Sequence, residues 1–128
     1  KNYIPVVSTL GCDNQGNVYN INADTAAAYI AGELRAERFF AMTDIEGILL
    51  DKNDPDSLIS YIDIKEAEEL KKQGVISGGM IPKVDSCIEA LNKGVRKVTI
   101  MDGRIPHCLL LEIFTNEGIG TAIVKDEE

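Results

Sequence analysis

The chain is 128 residues long and 45% hydrophobic, which suits one domain with a continuous core and excludes general disorder, leaving only the acidic tail 125–128 as an expected disordered piece. Thirteen basic against twenty-one acidic residues leave a net charge of −8, a balance that repels nucleic-acid backbones and anionic membrane surfaces. Cys12, Cys87 and Cys108 are odd in number and lack C-x-x-C spacing, so neither a disulfide framework nor a zinc site is expected.

No apolar run nears the roughly 20 residues of a membrane helix, and no basic start leads into an apolar stretch, so a cytoplasmic setting is expected. Lys1 stands where an initiator Met would, and a strand-like run over 4–10 begins almost at once, which suggests a piece of a longer protein.

In chain order, residues 4–7 read as a strand, 11–17 as a polar turn, and Val18 with Tyr19 as a hairpin return. A helix follows. Asn22 has N-cap chemistry, Asp24 lies in the first turn where the dipole favours an anion, and 26–34 are good helix formers. Residues 38–42 (RFFAM) read as a strand, and Thr43-Asp44-Ile45-Glu46-Gly47 as the loop at its C-terminal end, where open α/β sheets bind ligands.

Asp54-Pro55-Asp56-Ser57 signals a turn and 58–62 a short strand. Asp63 with Glu66 forms a capping box that opens a highly charged helix, closed by Gly74 and expected to be a solvated surface element. Ser77-Gly78-Gly79 leads into a helix with Ile81, Val84, Ile88 and Leu91 on one face, ended by Gly94. Then come a strand over 97–101, a turn at Asp102-Gly103, a short helix from Pro106 through Phe114, and a last strand over 118–124. Strands alternating with helices predict an α/β fold, a sheet covered by helices, in one domain over 1–128 without repeat or linker.

Lys83 is the most telling position. It falls in the first turn of its predicted helix, where the dipole and unpaired N–H groups already supply positive potential. Taken alone, the side chain would extend into water. An anion held between the lysine, the helix start and the backbone of Gly78-Gly79 would instead remove the conflict, and that is the physical recipe for a phosphate site.

Three strings carry a family resemblance. Ser77-Gly78-Gly79-Met80-Ile81-Pro82-Lys83-Val84 resembles the loop and helix start of N-acetylglutamate kinases, Tyr19-Asn20-Ile21-Asn22-Ala23-Asp24-Thr25-Ala26-Ala27 resembles their Asn-x-Asn-Ala-Asp segment, and Thr43-Asp44-Ile45-Glu46-Gly47-Ile48-Leu49 resembles their nucleotide loop. The resemblance spans essentially the whole chain. It implies the C-terminal, ATP-binding part of an amino acid kinase, a largely parallel open sheet with helices on both faces in a three-layer sandwich, truncated on the N-terminal side.

The implied activity is transfer of the γ-phosphoryl group of ATP to the side-chain carboxylate of N-acetyl-L-glutamate, an early step of arginine biosynthesis. The attacking carboxylate is already ionised, so such chemistry needs positioning and charge neutralisation more than a base. By resemblance, Lys83 stabilises the leaving side of the transition state at the β/γ-phosphate oxygens, Asp24 organises catalytic lysines, and Asn20 holds the amino-acid part of the acceptor. Thr43, Asp44, Ile45, Gly47, Ile48 and Leu49 line the nucleotide pocket, with Ile76, Ser77, Gly79, Met80 and Lys83; Mg²⁺ arrives on the ATP, with no protein metal site.

The segment 102–112 and the string Glu117-Gly118-Ile119-Gly120-Thr121 resemble arginine-inhibited members. That implies an allosteric arginine site at His107, Glu112 and Gly118, where Glu112 could take the guanidinium bidentately; a short surface helix is the plainer alternative. The family's other half, with its glycine-rich phosphate loops and second lysine, is absent, so the isolated chain is expected to be catalytically silent and open to self-association. A homo-oligomer and a PII-type signalling partner are further implications, while nucleic acid and membrane are not. Glutamate 5-kinase, aspartate kinase and uridylate kinase share the fold and loop and remain alternatives, as does a non-catalytic module sensing ATP or arginine.

Overall fold

The computed structural model describes residues 2–115 and 118–125; Lys1, Asn116, Glu117 and the acidic tail beyond Lys125 lie outside them. The chain opens on a hairpin of β1 (Leu10–Cys12) and β2 (Val18–Asn20), paired antiparallel. Asp13 organises its turn by accepting from the N–H groups of Gln15 and Asn17, the Asn17 amide and the Tyr19 hydroxyl. The strand expected over 4–7 does not form: Ile4 is 92% and Val6 94% exposed, and no strand of the described residues pairs with them. A β pattern without a ladder partner leaves its backbone to water.

Helix α1 (Ala23–Glu33) starts where Asn22 accepts from Thr25 N–H at 3.0 Å. Four strands, β3 (Arg38–Thr43), β4 (Tyr61–Asp63), β5 (Lys97–Asp102) and β6 (Gly120–Val124), form the main sheet in the order β3-β5-β6-β4. β3 runs parallel to β5 and β4 parallel to β6, while β5 and β6 are antiparallel. The mainly parallel sheet is thus two parallel pairs joined through one antiparallel seam.

The strand expected over 58–62 is shorter and shifted, Tyr61–Asp63. Ile59 N–H donates to the Ile48 carbonyl at 2.9 Å and the Ile59 carbonyl accepts from the Thr121 side-chain hydroxyl, so neither backbone group is left for a ladder. Helix α2 (Ile64–Lys72) carries the expected capping box of Asp63 and Glu66, and Gly74 follows it at φ +78. Although charged, α2 is docked through Lys71, which donates to Asp85 of α3 (Met80–Asn92) at 2.6 Å and to Glu68 at 2.8 Å. Helix α4 (Cys108–Phe114) begins two residues later than Pro106 suggested, because His107 takes a left-handed φ of 61°.

Side chains alternate across the strands, and this sorts the layers. Phe39, Ala41, Val98, Ile100, Ile123 and Ile62 point to one face and join one core with Ala28 and Ala31 of α1, Ala67 of α2, and Val84, Cys87, Ile88 and Leu91 of α3. Lys97 and Thr99 point the other way, where both meet Glu112 of α4. Helices therefore cover both faces.

Candidate active site

The parallel strands β3 and β5 end side by side, Gly103 N–H donating to the Thr43 carbonyl at 2.8 Å, so the loops leaving them share one end of the sheet. A cavity of about 390 Å³ opens there. Ile45, Ile48, Leu49, Val75, Ile76 and Met80 give it apolar walls, and Asp44, Glu46, Lys52 and Arg104 supply charge.

The loop after β3 is held by two threonines. Thr43 Oγ1 accepts from Ile45 N–H at 3.0 Å and donates to the Ile45 carbonyl at 3.2 Å. Thr121 of β6, fully buried, accepts from Ile48 N–H at 2.8 Å and donates to the Ile59 carbonyl at 2.6 Å. Gly47, at φ +151, lies so close that a β-carbon there would fall 2.6 Å from Thr121 Oγ1. The shape of this loop is thus imposed by a residue 73 positions away, seen in sequence only as part of a C-terminal string.

A second cavity, of about 200 Å³, is lined from the same chain segments: Thr43 lines it and Asp44 lines the first, Lys83 lines it and Met80 the first. Here Lys83 Nζ donates to Asp24 Oδ2 at 3.1 Å, joining α3 to α1 across 59 residues. The side chains remain 28% and 40% exposed, so the pair adds little to stability, and its consequence is position: an ammonium and a carboxylate fixed together in the wall of the cavity. Cys87 lines the same cavity; burial, with Asp24 adding, pushes its thiol up to about 12, so it stays neutral and inert.

The expected anion recipe at the start of α3 is altered. Met80 and Ile81 N–H donate to the Ser77 and Gly78 carbonyls, both at 3.2 Å, and Pro82 has no N–H to offer. What stays open is the turn itself, since nothing lies within 4 Å of where a β-carbon on Gly78 or Gly79 would sit.

Of the sequence-named residues, Asp44, Ile45, Gly47, Ile48, Leu49, Ile76 and Met80 line the larger cavity; Asp24, Thr43 and Lys83 line the smaller. Ser77 and Gly79 form the turn between β4–α2 and α3 and line neither, and Asn20 is exposed at the end of β2, outside both. Lys52, Pro55, Val75 and Arg104 were not legible as cavity residues. Arg104 is forked onto Asp102, Nε to Oδ1 at 2.9 Å and Nη2 to Oδ2 at 2.8 Å, and this holds the Asp102 carboxyl below its ordinary range. Lys52 donates to Ser77 Oγ at 2.5 Å.

On the far face, the Glu112 side chain is only 7% exposed, with Lys97 Nζ at 3.8 Å and Thr99 Oγ1 at 3.5 Å. His107 and Gly118 are exposed. Among the described residues no group of three or more His, Cys, Asp or Glu side chains could hold a metal ion, and no helix is long and apolar enough to cross a membrane.

The family model for amino acid kinases matches residues 1–102. This chain belongs to the amino acid kinase family. Acetylglutamate kinase from Brachyspira hyodysenteriae is 61% identical over 124 residues, covering 97% of this amino acid kinase chain and 43% of that protein. The enzyme of the same name from Methanococcus vannielii is 53% identical over 98% of the chain and 43% of its own length. Among solved structures, N-acetylglutamate synthase from Neisseria gonorrhoeae, complexed with coenzyme A and L-arginine, superposes with a TM-score of 0.81 at 33% identity, over 92% of this chain and 27% of that one. The chain thus spans less than half the length of the curated relatives it matches.

Proposed function

We propose that this chain binds ATP and supplies the nucleotide half of an enzyme that phosphorylates the side-chain carboxylate of N-acetyl-L-glutamate. One observation carries the reading: Lys83, joined to Asp24 at 3.1 Å, lines a small cavity beside β3, and the chain on either side of that cavity, at Asp44 and Met80, lines a larger apolar one at the C-terminal ends of β3 and β5. An adenine fits against Ile48, Ile76 and Met80, and the phosphates run toward Lys83. The acceptor carboxylate oxygen attacks the γ-phosphorus, the bond to the β-bridging oxygen breaks, and ADP leaves with that electron pair. Lys83 neutralises charge that develops on the leaving side, at the β/γ-phosphate oxygens, and Asp24 holds the ammonium in place. Mg²⁺ travels on the nucleotide phosphates. Asn20 takes the acceptor once the remainder of the enzyme completes that side.

The names carried by the relatives support acetylglutamate in preference to glutamate, aspartate or UMP. Titrating Mg-ATP into the chain by NMR, then adding the separately produced N-terminal half with acetylglutamate, tests it. Shifts at Asp44–Leu49 and Ile76–Lys83, followed by acyl-phosphate formation that Lys83→Ala abolishes, are expected. No shifts, or faster turnover of glutamate or UMP, would remove the reading.

A regulatory reading attaches to Glu112, a buried carboxylate whose cationic neighbour Lys97 lies at 3.8 Å, leaving the carboxylate able to take a guanidinium. Arginine binding by calorimetry, lost in Glu112→Ala, is the expected result. Equal heats in the two proteins would leave only a structural helix.

A further inference from the structure

Lys52 differs from the other cation of the larger cavity in what holds it. Arg104 is forked onto the Asp102 carboxylate, whereas the Lys52 ammonium donates to a neutral hydroxyl, that of Ser77. A hydroxyl partner leaves the ammonium charge uncompensated, and both groups are exposed enough to part at little cost.

Its position gives that charge a use. Lys52 belongs to the connection between β3 and β4 and lines the cavity, and Ser77 belongs to the turn before α3, so their bond ties that connection to the turn that leads from Ile76 to Met80. Along the chain, the apolar residues Ile76 and Met80 of the larger cavity and Lys83 of the smaller one are joined by the turn of Gly78 and Gly79, beside which nothing lies within 4 Å of an added β-carbon. The N–H groups of Met80 and Ile81 are turned to carbonyls, so the backbone supplies fewer donors to a phosphate chain beside that turn than a helix start would. The lysine held at Ser77 supplies what they do not.

We propose that Lys52 is a second phosphate-binding lysine of this site, exchanging the Ser77 hydroxyl for a phosphate oxygen of the bound nucleotide. The inference rests on the nucleotide reading of the cavity given above. Binding draws the β3–β4 connection onto the phosphates, because the lysine that touches them is part of it.

The test is calorimetry of the 128-residue chain with Mg-ATP, Mg-ADP and adenosine, for the unaltered protein, Lys52→Gln and Lys52→Arg, with amide NMR spectra showing that each variant keeps the fold. Lys52→Gln is expected to weaken ATP and ADP by about tenfold, the loss of one charge-assisted hydrogen bond, while adenosine is unchanged and Lys52→Arg recovers most of the loss. Equal ATP affinity in Lys52→Gln, or equal weakening of adenosine and ATP, would overturn the inference and leave Lys52 a structural strut. If the unaltered chain binds none of the three ligands, the nucleotide reading itself falls, and this inference with it.

Discussion

At the scale of single residues, environment decides chemistry more than residue type does. Asp13 and Asp24 are both partly solvated carboxylates beside a turn or helix start, yet one is saturated by four donors of its own hairpin and the other takes one lysine from a distant helix. The Asn17 amide above all, with its backbone N–H, Tyr19 and Gln15, lowers Asp13 from the ordinary 3.8 to about 2. The folded value lies below the unfolded one, so Asp13 stabilises the hairpin fully above about pH 4, and the contribution is lost as pH falls toward 2. Asn17 and Gln15 amide shifts should titrate with a midpoint near 2; a midpoint at the ordinary carboxylate value would show that these bonds do not hold in solution. The cysteines divide in the same way. Cys12 is exposed and should be alkylated quickly at pH 8, while buried Cys87, raised to about 12, should react only after denaturant is added; mass mapping of the labelled sites checks it.

At the scale of elements, helix ends were the most legible features where glycine marks them. Gly74 and Gly94 follow α2 and α3 at φ +78 and +112, the left-handed position glycine favours. Helix α1 ends in the same way, with Ala36 N–H returning to the Ala31 carbonyl, but the left-handed residue is Arg35 at φ 48, and nothing in its identity announces it. Arg35→Gly should therefore raise stability by up to about 1 kcal/mol in urea unfolding, and a loss would contradict the strain. Gly120 is the opposite case. A β-carbon there would meet the Ile100 carbonyl oxygen at 2.1 Å, backbone that cannot give, so Gly120→Ala should cost roughly 3 kcal/mol by the same measurement. Strand boundaries were less legible. The run 4–7 has strand composition without a partner, and Ile59 has its N–H and carbonyl bound elsewhere, because pairing is a property of two segments and not one.

At the scale of the whole molecule, the sheet has two open edges, β3 and β4, and the hairpin leaves Leu10 63%, Val18 69% and Tyr19 53% exposed. Unpaired strand edges and solvent-facing apolar side chains are relieved by association. Analytical ultracentrifugation of the chain should show reversible association that rises with concentration; one sedimenting species across the accessible range would count against it. Acetylglutamate phosphorylation by this chain without a second half would likewise contradict its expected silence, since Lys83 and Asp24 supply one part of the charge that a transferring phosphoryl group needs.

Short-range chemistry was enough to read α2 with its capping box, the apolar face of α3 at Val84, Ile88 and Leu91 though not at exposed Ile81, the Asn22 cap, the loop Thr43–Gly47 at a strand end, and the strings that mark the family. Each depends on residues a few positions apart, where spacing alone sets which atoms meet. Tertiary structure alone decided the order β3-β5-β6-β4, the pairing of Lys83 with Asp24, the grip of Thr121 on the loop, and the entry of Lys52 and Arg104 into the cavity. Those contacts join segments up to 73 residues apart, and one linear pattern fits many such closures until packing of the core selects among them.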